Sequence, residues 1–328
     1  MSNLLIEECD SMDQEVMVSI ICNTYNHERY IADAINSFLA QQTDFPIEIL
    51  VHDDASTDRT PEIVRSFEQA HPDVIKPIYQ EVNQYKKFPR VTFINASRAK
   101  GRYLALCEGD DYWTDPKKLQ KQVEYLESHP EATACAHNAA VIDADSGELI
   151  RLAHRKWPSR DYSVEEIITG GGGIFPTCSV CLRHACYQDL PEFYFDAPVG
   201  DYPLNIYLAM QGSYHYMDEL MSAYRQNVRD SWSYKSRQIP GFKNQHIQNL
   251  SRMFDEIDAY SNYRYSSCLQ GKTLYLEFRQ ALKMGDYRLV RSARFRTFYH
   301  QLSFKRKLKI LLEYYLGCKI TLPRFRRR

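Results

Sequence analysis

From Val16 onward, short apolar runs alternate with stretches in which apolar residues return every three or four positions. This alternation predicts an α/β sheet with crossover helices. Val16–Cys22 reads as a buried strand, and Ile31, Ala34, Ile35, Phe38 and Leu39 then fall on one face of a helix; Ile47–His52 is the next strand. Thr60-Pro61 signals a helix start, with Thr60 as N-cap, Pro61 in the first turn, and Ile63, Val64 and Phe67 turned inward. Val74–Gln80 and Tyr103–Cys107 are further strands, the second preceded by a helix ending near Gly101. Asp115-Pro116 repeats the start signal ahead of the stripe Leu119, Val123 and Leu126, and Thr133–Ile142 is again strand-like.

Past that point the alternation weakens. Ser163-Val164-Glu165-Glu166 is a capping box, so a short helix begins there and runs into Gly170–Gly173, which cannot extend it. Pro176–Arg183 is a strand candidate, and Asp201–Gln211 a helix with Leu204, Tyr207 and Leu208 on one side and Gly212 as its stop. From about Pro240 the pattern is helical throughout. The expected organisation is therefore one α/β domain over 14–235 and a helical, basic region over 236–328.

Composition narrows the class without changing this picture. The 328 residues are 44% apolar and 25% charged, with 13 Gly and 14 Pro, which excludes collagen-like and wholly disordered chains. No apolar run approaches the roughly 18–20 residues of a membrane-spanning helix. The acidic start lacks a secretory h-region, so a cytoplasmic protein is expected. Nine cysteines, an odd number spread through apolar segments, suit reduced thiols. Cys178, Cys181 and Cys186 lack the partners of a zinc set, and His27-Glu28 is followed by Ile31 where a zinc-protease helix needs His.

Charge is unevenly spread. The net charge is −1, yet residues 286–328 carry 13 Lys and Arg against two acids, leaving −12 on the rest. In that basic segment Leu302, Leu308, Leu311, Leu312, Tyr315 and Leu316 recur at helical spacing beside Lys305, Arg306, Lys307 and Lys309, and the chain closes on Arg324-Phe325-Arg326-Arg327-Arg328. Such a helix suits an anionic membrane surface on the inner face of the plasma membrane, with a solvated helical face as the alternative and nucleic acid set aside.

Open α/β sheets bind ligands at the carboxyl ends of their strands. Here those ends carry Asn23-Thr24-Tyr25-Asn26, then Asp53-Asp54-Ala55-Ser56-Thr57-Asp58, then Glu108-Gly109-Asp110-Asp111. An aromatic beside small polar groups can hold a base, a carboxylate can accept from its ring N–H, and an acidic pair can hold a hard divalent cation on phosphate oxygens. Together these suit a nucleoside diphosphate. No G-x-x-x-x-G-K-[ST] or strand-following G-x-G-x-x-G offers a rival phosphate grip. Asp53 and Asp54 also suit a turn, and Asp58 reads better as a helix-start acid. Asp110 and Asp111, directly after a buried strand, repel each other, and a cation relieves that best.

The segments Val18-Ser19-Ile20-Ile21-Cys22-Asn23-Thr24-Tyr25-Asn26, His52-Asp53-Asp54-Ala55-Ser56-Thr57-Asp58, and Gly101-Arg102-Tyr103-Leu104 leading to Glu108-Gly109-Asp110-Asp111-Tyr112-Trp113 resemble the successive motifs of glycosyltransferase family 2. The resemblance covers about residues 16–225. It implies a GT-A fold: a mixed, mostly parallel nucleotide-binding sheet flanked by helices, here with a C-terminal helical extension. It also implies an inverting transfer, dependent on Mn²⁺ or Mg²⁺, from a nucleotide diphosphate sugar to a hydroxyl acceptor. By the same resemblance Asp54 recognises the base, Tyr25 stacks on it, Asp111 binds the metal and Asp110 contacts the ribose or sugar. Asn23 and Trp113 join the nucleotide-sugar site, although Trp113 fits the core equally well. The acceptor-side base is an acid at a helix start in the second half, which matches Gly200-Asp201; Asp201 is the choice, with Asp196 and Asp189 behind it. Lys86, Lys87 and Arg90 are candidates for the pyrophosphate, and Gly170–Gly173 for a loop that excludes water at the acceptor.

One departure matters. Processive synthases of this class carry Q-x-x-R-W and membrane helices, whereas Gln226-Asn227-Val228-Arg229 is followed by Asp230, with Trp only at 232. The expected acceptor is a lipid-linked precursor of a surface polysaccharide. The non-enzyme alternative is a nucleotide-sugar-binding or membrane-adaptor protein on the same fold. A nucleotidyltransferase would need a Gly-rich loop after the first strand, and a phosphohydrolase a D-x-D-x-T, neither of which is present.

Overall fold

The computed structural model describes residues 15–85, 90–155, 157–229, 231, 234 and 242–316. Four strands, Val18–Thr24 (β1), Ile47–Asp53 (β2), Ile75–Tyr79 (β3) and Tyr103–Leu106 (β4), run parallel in the order β3-β2-β1-β4. Helices Ile31–Leu39 (α1), Thr60–Ala70 (α2) and Val91–Ala96 (α3) alternate with them along the chain. Because the sheet is covered on both faces, its residues are apolar almost without interruption. Val18, Ile20, Cys22, Ile49, Val51, Tyr103 and Ala105 share one core cluster with Ile31, Ala34, Ile35 and Phe38 of α1. The chain steps outward from β1 to β2 and β3, then returns to the other side of β1 as β4. That reversal opens a crevice at the strand tips, where ligands bind in such sheets.

The rest of the sheet is mixed. Cys181–Arg183 (β9) bridges antiparallel between β4 and the long Ala132–Asp143 (β6), and β6 pairs in parallel with Ser213–Gln226 (β10). Tyr112–Trp113 (β5) and Arg160–Asp161 (β8) add to β10, and Leu149–Leu152 (β7) adds to β6. Lys118–Ser128 (α4) packs Leu119, Val123 and Leu126 onto the same core. Val164–Gly170 (α5), Ala185–Gln188 (α6), Glu192–Asp196 (α7) and Asp201–Gln211 (α8) complete this half. The capping box at Ser163 is formed in both directions, and α8 has the bounds its periodicity implies.

Several expected boundaries move, each for a local reason. β1 runs on to Thr24 because Asn23 and Thr24 pair with His52 and Asp53. Thr60 is not the N-cap of α2 but its first residue; its hydroxyl accepts from the His27 N–H, while Asp58 accepts from the Thr60 N–H. α4 begins at Lys118, with Asp115 accepting from the Lys117 N–H. Over Pro176–Arg183 only β9 is strand, preceded by a 3-10 turn at Thr177–Ser179. The reason is that the Cys178 and Ser179 carbonyls are taken by the Trp113 indole and the Gln122 amide instead of a ladder.

The chain divides into two compact units, one reaching to residue 231 without 196–198, the other comprising 196–198 and the residues from 232. The expected domain break at 235/236 falls outside the described residues. In the second unit, Phe242–Tyr260 (α9), Ser266–Met284 (α10), Tyr287–Val290 (α11), Arg296–Gln301 (α12) and Phe304–Leu316 (α13) are helical. Phe278, Ala281, Val290, Phe295 and Ile310 form its own small core. Among the described residues no helix is long and apolar enough to cross a membrane.

The helix expected to end near Gly101 ends at Ala96, and Gly101 serves another purpose. A Cβ there would lie 2.4 Å from the backbone nitrogen of Ser19 and 2.7 Å from the Val18 carbonyl carbon. The close approach lets the Gly101 N–H donate to Ser19 Oγ, which itself donates to buried Glu48. Gly101→Ala is therefore expected to destabilise the first unit by about 1–3 kcal/mol, the usual range for overpacking. Chemical denaturation measures it, and an unchanged midpoint would show that β1 can shift away at no cost.

Candidate active site

Two sharp turns fix the side chains at the tips of β1 and β2. Asn26 and Ala55 both adopt left-handed backbone, with φ of 55° and 61°. The two turns are laced together: Asn26 N–H donates to Ser56 Oγ, and Thr57 N–H to Asn26 Oδ1. Tyr25 leaves this knot 36% exposed, its ring free to cover a ligand. Asn23 stays in the strand ladder, where its amide donates to Thr92 Oγ1 at 2.9 Å.

Asp54 is buried and already engaged. Its Oδ1 accepts from the Gln84 N–H at 2.6 Å and its Oδ2 from the Tyr85 N–H at 3.0 Å. The carboxylate thus folds segment 83–85 over the tip of β2 and leaves Tyr85, 51% exposed, beside it. Asp53 accepts from the Ser56 N–H, and burial raises its pKa. Asp58 is structural, accepting from the Glu28 and Thr60 N–H groups, which lower its pKa against the opposing effect of burial.

After β4 the chain turns tightly, with the Asp111 N–H donating to the Glu108 carbonyl. Asp110 and Asp111 are 9% and 2% exposed, whereas Glu108 remains open to solvent. Asp111 Oδ1 accepts from the backbone N–H of Arg225 at 2.8 Å. Its pKa is pushed well up, first by burial and then by Asp110. Glu108 is also shifted up, by its surroundings and by the charges of Asp110 and Asp201. Among the described ion pairs, Asp111 has none, and Asp110 has only His27, whose Nε2 lies 3.9 Å from Oδ2.

Asp201 enters from 90 residues further along, as the first residue of α8. Its Oδ1 accepts from the Tyr202 N–H at 2.8 Å. Burial lifts its pKa to about 6, against smaller opposing effects from that N–H and from the Arg90 charge. Arg90 is itself buried, held by the Tyr194 carbonyl at 2.7 Å. The glycine run has a reason at this spot. Gly171 turns the chain with φ of 88°, and a Cβ on Gly172 would lie 3.4 and 3.5 Å from the two Asp201 oxygens. The segment therefore presents bare backbone to the carboxylate.

Glu108, Asp110, Asp111 and Asp201 are thus brought into one field, with Tyr25, Asp54 and Arg90 around it. Trp113 is not among them. It is 4% exposed, packs on Phe38 at 4.7 Å and donates its indole N–H to the Cys178 carbonyl at 2.9 Å, so it belongs to the core. Asp189 and Asp196 show no resolved link to the acidic group, and Lys86 and Lys87 lie outside the described residues. A cavity of about 370 Å³ lies near Met17, Lys100, Arg102 and His184, lined by none of the predicted site residues.

The donor set suits a hard divalent cation. No cluster of three or more protein ligands occurs among the described residues. One or two carboxylates at a pocket for phosphate is the arrangement by which Mg²⁺-like ions are held, the remaining positions going to water and phosphate oxygens.

The model of glycosyl transferase family 2 matches residues 19–185, half of the chain. The chain belongs to glycosyl transferase family 2. Its fold is that of the GT-A glycosyltransferase structures. An uncharacterized protein of Mycobacterium tuberculosis is 39% identical over 218 residues, 66% of this chain and 60% of that one. The chain thus spans about 60% of the length of such curated relatives. Among solved structures, S. aureus TarS in complex with UDP-GlcNAc is similar with a TM-score of 0.60 at 16% identity, over 91% of this chain and 80% of that one. The mannosyltransferase PcManGT from Pyrobaculum calidifontis, in complex with GDP-Man and Mn²⁺, gives 0.51 at 15%, over 92% and 88%.

Holding Asp201 ionised in this family 2 chain costs stability. Its folded pKa of about 6 exceeds the ordinary 3.8, so the cost is full above pH 6, shrinks between those values and is gone below them. At about 1.4 kcal/mol per pKa unit, and with partial solvent contact, it amounts to about 1–3 kcal/mol. Asp201→Asn, which keeps the acceptor for the Tyr202 N–H, should melt a few degrees higher than the parent at pH 8 and equally near pH 4. Identical melting curves at pH 8 would remove burial as the cause.

Proposed function

We propose that this enzyme moves a sugar, with inversion, from a nucleoside diphosphate sugar to a hydroxyl of a lipid-linked glycan at an anionic membrane surface, with Asp201 as base and Mn²⁺ or Mg²⁺ seated by Asp111. The observation that carries the reading is the shared field of Glu108, Asp110, Asp111 and Asp201. Three of these acids sit at a strand tip and the fourth at a helix start, with no lysine or arginine side chain in an ion pair with any of them among those described. A protein keeps such a group when a cationic or proton-transferring step uses it.

In this reading Tyr25 covers the base, and the segment buttressed by Asp54 forms its edge. The bound cation would neutralise charge on the departing diphosphate. Asp201 takes the proton of the acceptor hydroxyl as that oxygen bonds to the anomeric carbon and the bond from that carbon to the phosphate oxygen breaks. The bare backbone at Gly172 leaves room for the hydroxyl beside the carboxylate. Arg90, buried near Asp201, keeps that carboxyl from rising further and so usable near neutral pH. The bound sugar nucleotides and the Mn²⁺ named for TarS and PcManGT agree with the donor and cation proposed.

The membrane part rests on α13. Phe304, Leu308 and Tyr315 are 78%, 41% and 72% exposed and align with Leu311 on one stripe, while Ile310 and Glu313 turn inward. Lys305 and Lys307 flank the stripe on its two sides. Exposed apolar residues beside several cations match an interfacial helix, each cation adding about 1 kcal/mol near anionic lipid. The closing arginines at 324–328 lie outside the described residues.

Two experiments test this reading. With Mn²⁺, one of the UDP-, GDP- or dTDP-sugars should raise the melting point, by an amount equivalent to about 2.7 kcal/mol at 100 times its Kd. Chelator or Asp111→Ala should abolish the shift, and kcat/KM should fall tenfold per pH unit below about 6 and vanish in Asp201→Asn. Wild-type turnover in the Asp201→Asn variant would dismiss the base. In vesicle flotation the full chain should rise with anionic but not neutral liposomes, and Lys305→Glu with Lys307→Glu should stop it; unaltered flotation would end the membrane assignment.

A further inference from the structure

Arg225 is the penultimate residue of β10, 114 residues after Asp111, yet it bonds the acidic loop through both its backbone and its side chain. Its backbone N–H donates to Asp111 Oδ1 at 2.8 Å, and its guanidinium donates to the backbone carbonyl of Asp110, also at 2.8 Å. A second guanidinium nitrogen donates to Asp33 on α1. The planar group lies 4.6 Å from the ring centre of Tyr112 and 5.0 Å from that of Tyr30, and the residue is 9% exposed.

The choice of acceptors is informative. A buried arginine beside two carboxylates would ordinarily pair with them bidentately. Here the side chain takes the Asp110 carbonyl and the distant Asp33 carboxylate, so the charge of Asp110 and Asp111 stays unneutralised while their backbone is clamped. Tyr30 and Tyr112 fix the plane of the fork. Asp111 is consequently held by its Oδ1 from one strand, with its turn pinned from the same residue.

We propose that Arg225 is a positioning residue that holds the Asp110–Asp111 turn in the geometry that receives the divalent cation, without itself touching donor or metal. This rests on the reading of Asp111 as the carboxylate that seats the cation. Groups that orient a metal ligand typically alter metal affinity 10–100-fold when changed. Arg225→Lys keeps the charge and the backbone N–H but loses the fork, so it isolates the clamp. Asp33→Asn releases the guanidinium from outside, at a residue whose side chain is 57% exposed and whose replacement leaves the core intact.

The test is Mn²⁺ affinity of the full chain with UDP or GDP present, by calorimetry and by electron paramagnetic resonance of free Mn²⁺, alongside nucleotide binding without metal. Arg225→Lys should weaken Mn²⁺ binding 10–100-fold and Asp33→Asn several-fold, with metal-free nucleotide affinity unchanged, and added Mn²⁺ should restore kcat. A lowered melting point with parental Mn²⁺ affinity in both variants would make Arg225 structural only and overturn the proposal. A wild-type chain that binds no Mn²⁺ with any nucleotide would overturn the cation reading itself, and the proposal with it.

Discussion

The crowding of carboxylates at one end of the sheet is the constraint to which the rest of the first unit answers. Asp111 is almost wholly buried, Asp110 nearly so, and Asp201 is driven to the same place by an entirely separate segment. Like charges at such spacing raise one another's pKa, and burial raises each further. Apolar packing behind the loop supplies no relief, yet β10 bonds the loop at Asp110 and Asp111. The arrangement is stable only because the hydrophobic layers of β1, β2 and β4 carry a cost concentrated on four residues.

How the chain holds that loop explains why β10 matters as much as the strands bearing the acids. β10 pairs with β6 along its length, and its end supplies both the N–H that fixes Asp111 and the guanidinium that fixes Asp110. β5, immediately after the acids, is anchored antiparallel on the same strand through Ser222 and Ala223. The turn between β4 and β5 is thus suspended between two neighbours of the sheet.

Much of this was legible in the order of residues. Apolar periodicity located the strands and most helices, the capping box marked α5, and acids directly after apolar runs marked the tips. What escaped was of three physical kinds. Capping geometry at Thr60 and Asp115 depends on which nearby N–H each side chain reaches, and periodicity says nothing about that. Trp113 follows the acids in the chain but faces the core, because the two-residue strand alternates its side chains across the sheet. Arg225, Arg90 and the pairing of Asp54 with Gln84 and Tyr85 join residues 30 to 115 positions apart, and no local pattern encodes such a partnership. An arginine near the end of a long strand carried the one available hint, since a strand in a buried sheet rarely contains one without a partner.

The floor beneath the acids decides from which direction their repulsion can be relieved. Cys22, Cys107 and Cys178 lie there, and burial keeps all three thiols protonated; Asp111 raises the pKa of each, and Glu108 and Asp110 add to the effect at Cys22. Buried Lys118, beside these thiols, is committed elsewhere. Its ammonium donates to Gln122 at 2.7 Å and sits 4.0 Å from the ring centre of Trp113, and burial lowers its pKa. It faces the thiols, and it makes no ion pair with Asp110 or Asp111 among those described. Neutral sulfur below and an ammonium bonded elsewhere add no ion pair to that of Asp110 with His27, which leaves the open face to supply further positive charge. That face is the one along which Tyr25, Glu108 and Asp201 lie, so the same packing that makes the group costly also directs any compensating charge to the place where a sugar nucleotide would bring its phosphates.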